Sequence, residues 1–155
     1  MKGELRFDAA VDHRGADFSA QLAAACLNGI DVYFENVGGA VWPAVLPLLN
    51  TYARVPVSGL IAQYNGPGPG DGTDRLPATM RGILSKSLTL RGFINSEFAG
   101  QYYDEFLHEV GAGVADGRIR YREDIVDGLD KAPEAFIGML DGRNFGKLIV
   151  HVGAV

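Results

Sequence analysis

Gly29-Ile-Asp-Val-Tyr-Phe-Glu-Asn-Val-Gly-Gly39 is the stretch on which the fold turns. Ile30 to Phe34 is a near-continuous apolar run, the pattern of a strand covered on both faces, as in a parallel sheet. It runs straight into Asn36-Val-Gly-Gly39, a small polar turn. Arg54-Val-Pro-Val-Ser-Gly-Leu-Ile-Ala-Gln-Tyr-Asn65 and Ser87-Leu-Thr-Leu-Arg-Gly-Phe-Ile-Asn95 repeat the arrangement. In open α/β sheets, ligands sit in the crevice outside the carboxyl ends of the strands. Asn36, Ser58, Tyr64 and Asn95 are expected to gather there. No Gly-x-Gly-x-x-Gly follows an opening strand, so the usual phosphate loop is not found in the sequence.

Working outward, Phe7 to Asp12 reads as a short strand. Asp17 is placed to cap a helix with Phe18, Leu22, Ala25 and Cys26 on one face, ended by Asn28-Gly29. Val41 to Leu49 is apolar enough for a buried helix that Pro47 should kink or shorten. Arg54 to Ile61 is the next strand. Asn65-Gly-Pro-Gly-Pro-Gly-Asp-Gly72 reads as loop, and loops of about a dozen residues are uncommon unless functional or disordered. Ala78 to Lys86 and Leu88 to Ile94 follow as helix and strand. Tyr103, Phe106, Leu107, Val110 and Val114 make the clearest helical stripe, stopped by Asp116-Gly117. Arg118 to Val126 alternates as a half-exposed strand. Asp130 is placed to cap a helix through Leu140, and Lys147 to Val152 is a last strand. Strand and helix alternate throughout, which predicts an α/β fold with a largely parallel sheet. A shift from solidly apolar to alternating strands near Gly117 suggests a boundary, giving segments 1–117 and 118–155.

At 155 residues a single domain with a sizeable core is the default. The formal charge of −5 leaves no basic footprint for nucleic acid or anionic membrane. No apolar run approaches the roughly 18 residues of a membrane span. Cys26 is the one cysteine, so no internal disulfide forms, and a buried structural thiol in a reducing, cytoplasmic setting is the expectation. His13, His108 and His151 form no ligand cluster and Cys26 has no cysteine partner, so no metal site is expected.

The string from Gly29 to Gly39 resembles the zinc-independent branch of the medium-chain dehydrogenase/reductase superfamily. More narrowly, it is similar to the NADPH-dependent alkenal/enone reductases, the group of prostaglandin reductase, plant double-bond reductases and curcumin reductase. The likeness continues, in order, through Gly59-Leu-Ile-Ala-Gln-Tyr-Asn65 and Leu90-Arg-Gly-Phe-Ile94. It closes on Ala132-Pro-Glu-Ala-Phe-Ile-Gly-Met-Leu-Asp-Gly-Arg-Asn-Phe-Gly-Lys147. Intact members are much longer, so the resemblance implies a C-terminal part. That part is an incomplete, doubly wound Rossmann-like domain lacking its first strand-helix-strand, followed by a strand-helix-strand that would complete a GroES-like catalytic domain.

The resemblance also implies roles. NADP(H) is the cofactor. Asn36 bonds it, with a simple turn-shaping role as the alternative. Ser58, Gly59, Leu60, Ile61, Ala62, Gln63 and Tyr64 wrap the nicotinamide-ribose side. Tyr64 is the candidate for a direct polar, catalytic contact, the alternative being a packed aromatic. Phe93, Ile94 and Asn95 lie against the nicotinamide, Asn95 departing from the usual apolar residue. Asn144 reaches back to the cofactor, and His13 stands where a Tyr near the adenine ribose phosphate is usual. The implied reaction is hydride transfer from NADPH to the β-carbon of a small enone or alkenal, followed by protonation at the α-carbon. A homodimer or higher oligomer is expected, through the strand Leu88 to Ile94 or through edges exposed by the missing strands. The competing expectation is a non-catalytic module that only self-associates.

Overall fold

The computed structural model describes residues 2–64 and 73–153, so the expected loop Asn65–Gly72 lies outside the described residues. The chain divides into two compact units, residues 8–104 and residues 1–7 with 105–155. The division falls inside a long helix, upstream of the expected boundary at Gly117.

In the first unit, α2 (Phe18–Ala25) leads to β1 (Ile30–Val32), α3 (Val41–Val45), β2 (Leu49–Val57), α4 (Leu76–Lys86) and β3 (Thr89–Gly92). A short α1 (Lys2–Leu5) precedes them in the chain. The strands form one parallel sheet in the order β1-β2-β3. Every carboxyl end therefore points the same way, as the sequence pattern requires. Val45, Leu49, Ala53, Val55 and Leu88 form the buried core, with Leu22, Ile30, Trp42 and Ile83 packed against it. Burying a side chain such as Leu49 or Val55 contributes about 2 kcal/mol.

Pro47 ends α3 as expected: Leu46–Leu48 is a tighter 3₁₀ turn, and β2 starts at once at Leu49. The ammonium of Lys86, in the last turn of α4, donates to the carbonyls of Pro47 (2.8 Å) and Leu49 (2.6 Å) and so secures that corner. The indole N–H of Trp42 donates to the Thr79 hydroxyl at 2.9 Å and ties α3 to α4.

Asp17 precedes α2 but does not cap it through its side chain, which accepts from the Gln21 amide at 2.7 Å instead. Three further expectations for this unit are corrected. Phe7 to Asp12 is not a strand, because no neighbouring strand offers it a ladder. β2 stops at Val57 rather than Ile61, because the Ser58 and Gly59 N–H groups turn to the Glu35 carbonyl instead of to β3. The Ile30–Phe34 run is not covered on both faces: β1 is an edge strand, and Val32 and Phe34 are each 52% exposed.

The second unit takes in most of α5 (Ser96–Ala115), which begins in the first. It also holds β4 (Glu123–Asp127), α6 (Ala132–Leu140) and β5 (Lys147–His151). The two strands pair in parallel from Glu123 opposite Lys147 to Asp127 opposite His151. Pairing begins later than the expected Arg118 because β5 starts only at Lys147, whose N–H donates to the Arg122 carbonyl at 2.8 Å. Gly146 makes that approach possible, since a Cβ there would overlap the Arg122 carbonyl. Asp130 does not cap α6 through its side chain; a 3₁₀ turn, Leu129–Lys131, leads into the helix instead. The apolar stripe of α5 is exposed at Tyr103, Phe106 and Leu107.

Candidate active site

The site begins where β1 outlives its ladder. The Tyr33 N–H donates to the Arg54 carbonyl at 3.0 Å and the Glu35 N–H to the Pro56 carbonyl at 2.9 Å. The chain then reverses through Asn36 to Gly39. Gly38 and Gly39 both have positive φ, +70° and +55°, a conformation strained for residues with a Cβ. The segment after β2 folds over this turn. Ser58 and Gly59 donate to the Glu35 carbonyl (2.9 and 3.2 Å), Ile61 to that of Asn36 (3.2 Å) and Ala62 to that of Val37 (3.0 Å). Side chains lock the same join: a Cβ on Gly38 would stand 3.0 Å from Leu60 Cδ2, and one on Gly39 2.9 Å from the Ala62 Cβ.

This interlock brings together three of the four residues expected to gather, Asn36, Ser58 and Tyr64; the contacts of Asn95 are with the start of α5. The Cβ position of Gly59 is 3.4 Å from the Tyr64 hydroxyl and 3.7 Å from the Asn36 side-chain oxygen. Asn36, Ser58 and Tyr64 are all exposed, so their polar groups are open to a ligand. Gln63 follows on the short 3₁₀ turn Ile61–Gln63. Beside them, the Phe93 N–H donates to the Val57 carbonyl at 3.1 Å, which sets the end of β3 against that of β2. The Phe93 ring meets Phe34 edge-on at 5.9 Å and Phe98 at 5.6 Å. Ile94 and Asn95 lead into α5; the Ile94 N–H donates to the Glu97 carboxylate at 2.9 Å and the Asn95 carbonyl accepts from Phe98 at 3.0 Å.

His13 and Asn144 have local contacts of their own. His13 lies before α2, with its ring edge-on to Phe18 at 6.5 Å. Asn144 belongs to the second unit, where its amide donates to the Gly146 carbonyl at 2.8 Å within its own turn. It lines a cavity of about 560 Å³ together with Arg122, Lys131, Glu134 and Arg143. In the same unit, the N–H groups of Gly146 (2.9 Å) and Phe145 donate to the Asp124 carboxylate. These bonds, with Arg122 alongside, hold its pKa below the ordinary value against the opposing effect of desolvation.

Sequence reasoning passed over Glu35. It is 3% exposed, and one oxygen, Oε1, accepts from the Val37 N–H (2.7 Å), the Gly38 N–H (2.8 Å) and the Tyr33 hydroxyl (3.0 Å). Burial, and then the adjacent carboxylate, push the Tyr33 phenol well above its usual range. The available signal was a lone charge closing an apolar run, Tyr33-Phe-Glu35. Below the turn lies a cavity of about 380 Å³, lined by Glu35, Trp42, Leu60, Gln63, Thr79 and Leu90 among others.

Exposed amide and phenol groups beside a glycine turn, at the carboxyl ends of parallel strands, form an arrangement suited to a dinucleotide. The match to known proteins agrees. Residues 5–150 fit the family model described as zinc-binding dehydrogenase. The chain belongs to the zinc-binding dehydrogenase family. Within it, the chain is 51% identical over 148 residues to the NADPH-dependent curcumin reductase of Escherichia coli, covering 96% of this chain and 43% of that protein. It is 35% identical over 150 residues to prostaglandin reductase 1 of Rattus norvegicus, covering 95% and 44%. The crystal structure of CurA in complex with NADPH from Vibrio vulnificus superposes with a TM-score of 0.93 at 49% identity, covering 99% of this chain and 46% of that one. The chain thus spans less than half the length of these relatives. Despite the family's description, no three His, Cys, Asp or Glu side chains among the described residues converge to hold a metal ion. Nor is any helix among them long and apolar enough to cross a membrane.

Proposed function

We propose that this chain is the cofactor-holding part of an NADPH-dependent reductase of small α,β-unsaturated ketones and aldehydes. The observation that carries the reading is the interlock of the Asn36–Gly39 and Ser58–Tyr64 turns at the ends of β1 and β2. Its relatives by sequence are NADPH-dependent reductases. NADPH, when bound, supplies a hydride to the substrate β-carbon. The chain's own residues do the rest. The Asn36 amide, with two donors and an acceptor, holds a carboxamide or ribose edge. Ser58 to Gln63 border the ribose, and the Tyr64 hydroxyl donates to the substrate carbonyl and polarises it. Phe93, Ile94 and Asn95 keep water from the ring face, while Asn144 and His13 make outlying contacts. Residues 1–117 act as the Rossmann-type part and 118–155 as a segment of the catalytic domain, in a cytoplasmic protein.

NADPH titration of this chain, followed by calorimetry or by nicotinamide fluorescence, is the test. Saturable binding that weakens in Asn36→Ala supports the reading. Weak affinity, in the millimolar range, is expected because no glycine-rich phosphate loop contributes, and each 1.4 kcal/mol forgone costs about tenfold. Complete absence of binding favours the alternative, a non-catalytic module that self-associates. That alternative draws on the sheet edges: all four residues of β3 are exposed, as are Val32 and Phe34 at β1. Either reading has the chain forming a homodimer or larger oligomer, and a monodisperse monomer in light scattering at micromolar concentration would rule that out.

A further inference from the structure

We propose that Glu35 is the positioning residue of the cofactor turn: its buried carboxylate sets the conformation in which Asn36 meets NADPH. This rests on the reading of Asn36 given above. The backbone on both sides of Asn36 is clamped while its side chain stays exposed, and Glu35 supplies most of the clamp. Its carbonyl accepts from Ser58 and Gly59, and its side chain accepts from Val37 and Gly38, the two residues that follow Asn36. Bonds from N–H groups to a carboxylate are charge-assisted and short, about twice as strong as neutral ones. The dependence runs both ways. A carboxylate 3% exposed is costly unless hydrogen-bonded. With the turn in any other conformation, Oε1 would lose two of its three donors. The turn and the charge therefore stand or fall together, whereas the core residues Leu49 and Val55 lie outside this network. Tyr33 completes the set by donating its hydroxyl to the same oxygen, which steers Oε1 toward the turn.

The test uses the full chain, isotope-labelled for NMR, with Glu35→Gln and Glu35→Asp. In the wild type, coupling across the hydrogen bonds should link the Val37 and Gly38 amide nitrogens to the Glu35 side-chain carboxyl carbon. In Glu35→Gln, those two amides should shift upfield while those of Ala53 and Val55 stay in place. NADPH affinity, read from the same spectra, should fall about tenfold, equivalent to 1.4 kcal/mol. A Glu35→Gln chain that binds NADPH as the wild type does would overturn the proposal, as would missing coupling. If that variant does not fold, Glu35→Asp decides: it keeps the charge but is a methylene too short to reach both amides. Weakened binding supports the proposal and unchanged binding overturns it. Should the wild type show the coupling yet no response to NADPH, the cofactor reading itself has failed, and Glu35 is reduced to a turn-forming residue.

Discussion

The three-stranded and two-stranded sheets are made of similar parts, parallel strands crossed by helices, but they bury them differently. In residues 8–104, β2 has a neighbour on each side, and Leu49, Ala53 and Val55 are at most 2% exposed. In the other unit, each strand has one partner, and the buried residues among those described are the glycines Gly113 and Gly138. Phe106, Ile125, Leu129, Phe136 and Ile137 are all exposed there. A two-stranded sheet is marginal in isolation. Beside the β4–β5 ladder, this unit has polar locks at one turn: Asp124 on the amides of Phe145 and Gly146, and the Arg122 guanidinium 4.7 Å above the Phe145 ring. One unit is thus held by a core and the other by its connections.

That contrast can be broken most forcefully at Leu49. Leu49→Ala should cost the first unit about 3 kcal/mol through lost burial and the cavity left behind, whereas Phe136→Ala, at an exposed position, should change stability by less than about 0.5 kcal/mol. Denaturant unfolding of both variants checks this, and equal losses would erase the distinction. Next comes Gly146→Ala. Its Cβ collides with the Arg122 carbonyl, so the β4–β5 ladder should open at a cost of about 2 kcal/mol, seen as faster amide exchange from Lys147 to His151 with the first unit unaffected.

Smaller effects sharpen the picture. Thr79→Val leaves the Trp42 indole N–H without its acceptor and should destabilise the first unit by about 1 kcal/mol in thermal unfolding. The mildest effect is one of pH. The folded-state pKa of Asp124 is depressed, so its contribution is complete above the unfolded value of about 3.9 and is lost as pH falls through the lower folded value. Amide exchange at Phe145 and Gly146 should quicken on acidification through that range, and Asp124→Asn should show the quickened rates already at neutral pH.

How much of this could be read from the residues differs by region. The strand-turn units were legible because both signals are local, an apolar run and then glycine or asparagine; β1 and β3 lie within the expected spans and β2 overlaps its own from Arg54 to Val57. The gathering of Asn36, Ser58 and Tyr64 followed from the parallel order. Long-range pairing was not legible. Phe7 to Asp12 has a strand's composition but no ladder. β2 begins five residues early because Leu49 pairs with Ile30, after which the two strands slip in register before Val32 meets Arg54. That slip is bridged by the Asn50 amide, which donates to the Asn28 carbonyl and the Asp31 carboxylate, and by Tyr52 at φ 65°. Neither departure has a pattern in the string of residues. Glu35 was hidden for another reason: its worth depends on three donors that only the folded turn assembles.

The fit of Gly38 against Leu60 and of Gly39 against Ala62 carries a consequence for how this protein can vary. The two turns lie some twenty positions apart in the chain, yet neither has room to grow while the other stays as it is. Substitutions that enlarge one should be found in viable descendants only alongside trimming of the other. The pair is then inherited as a single module, and drift in the helix between them leaves it untouched.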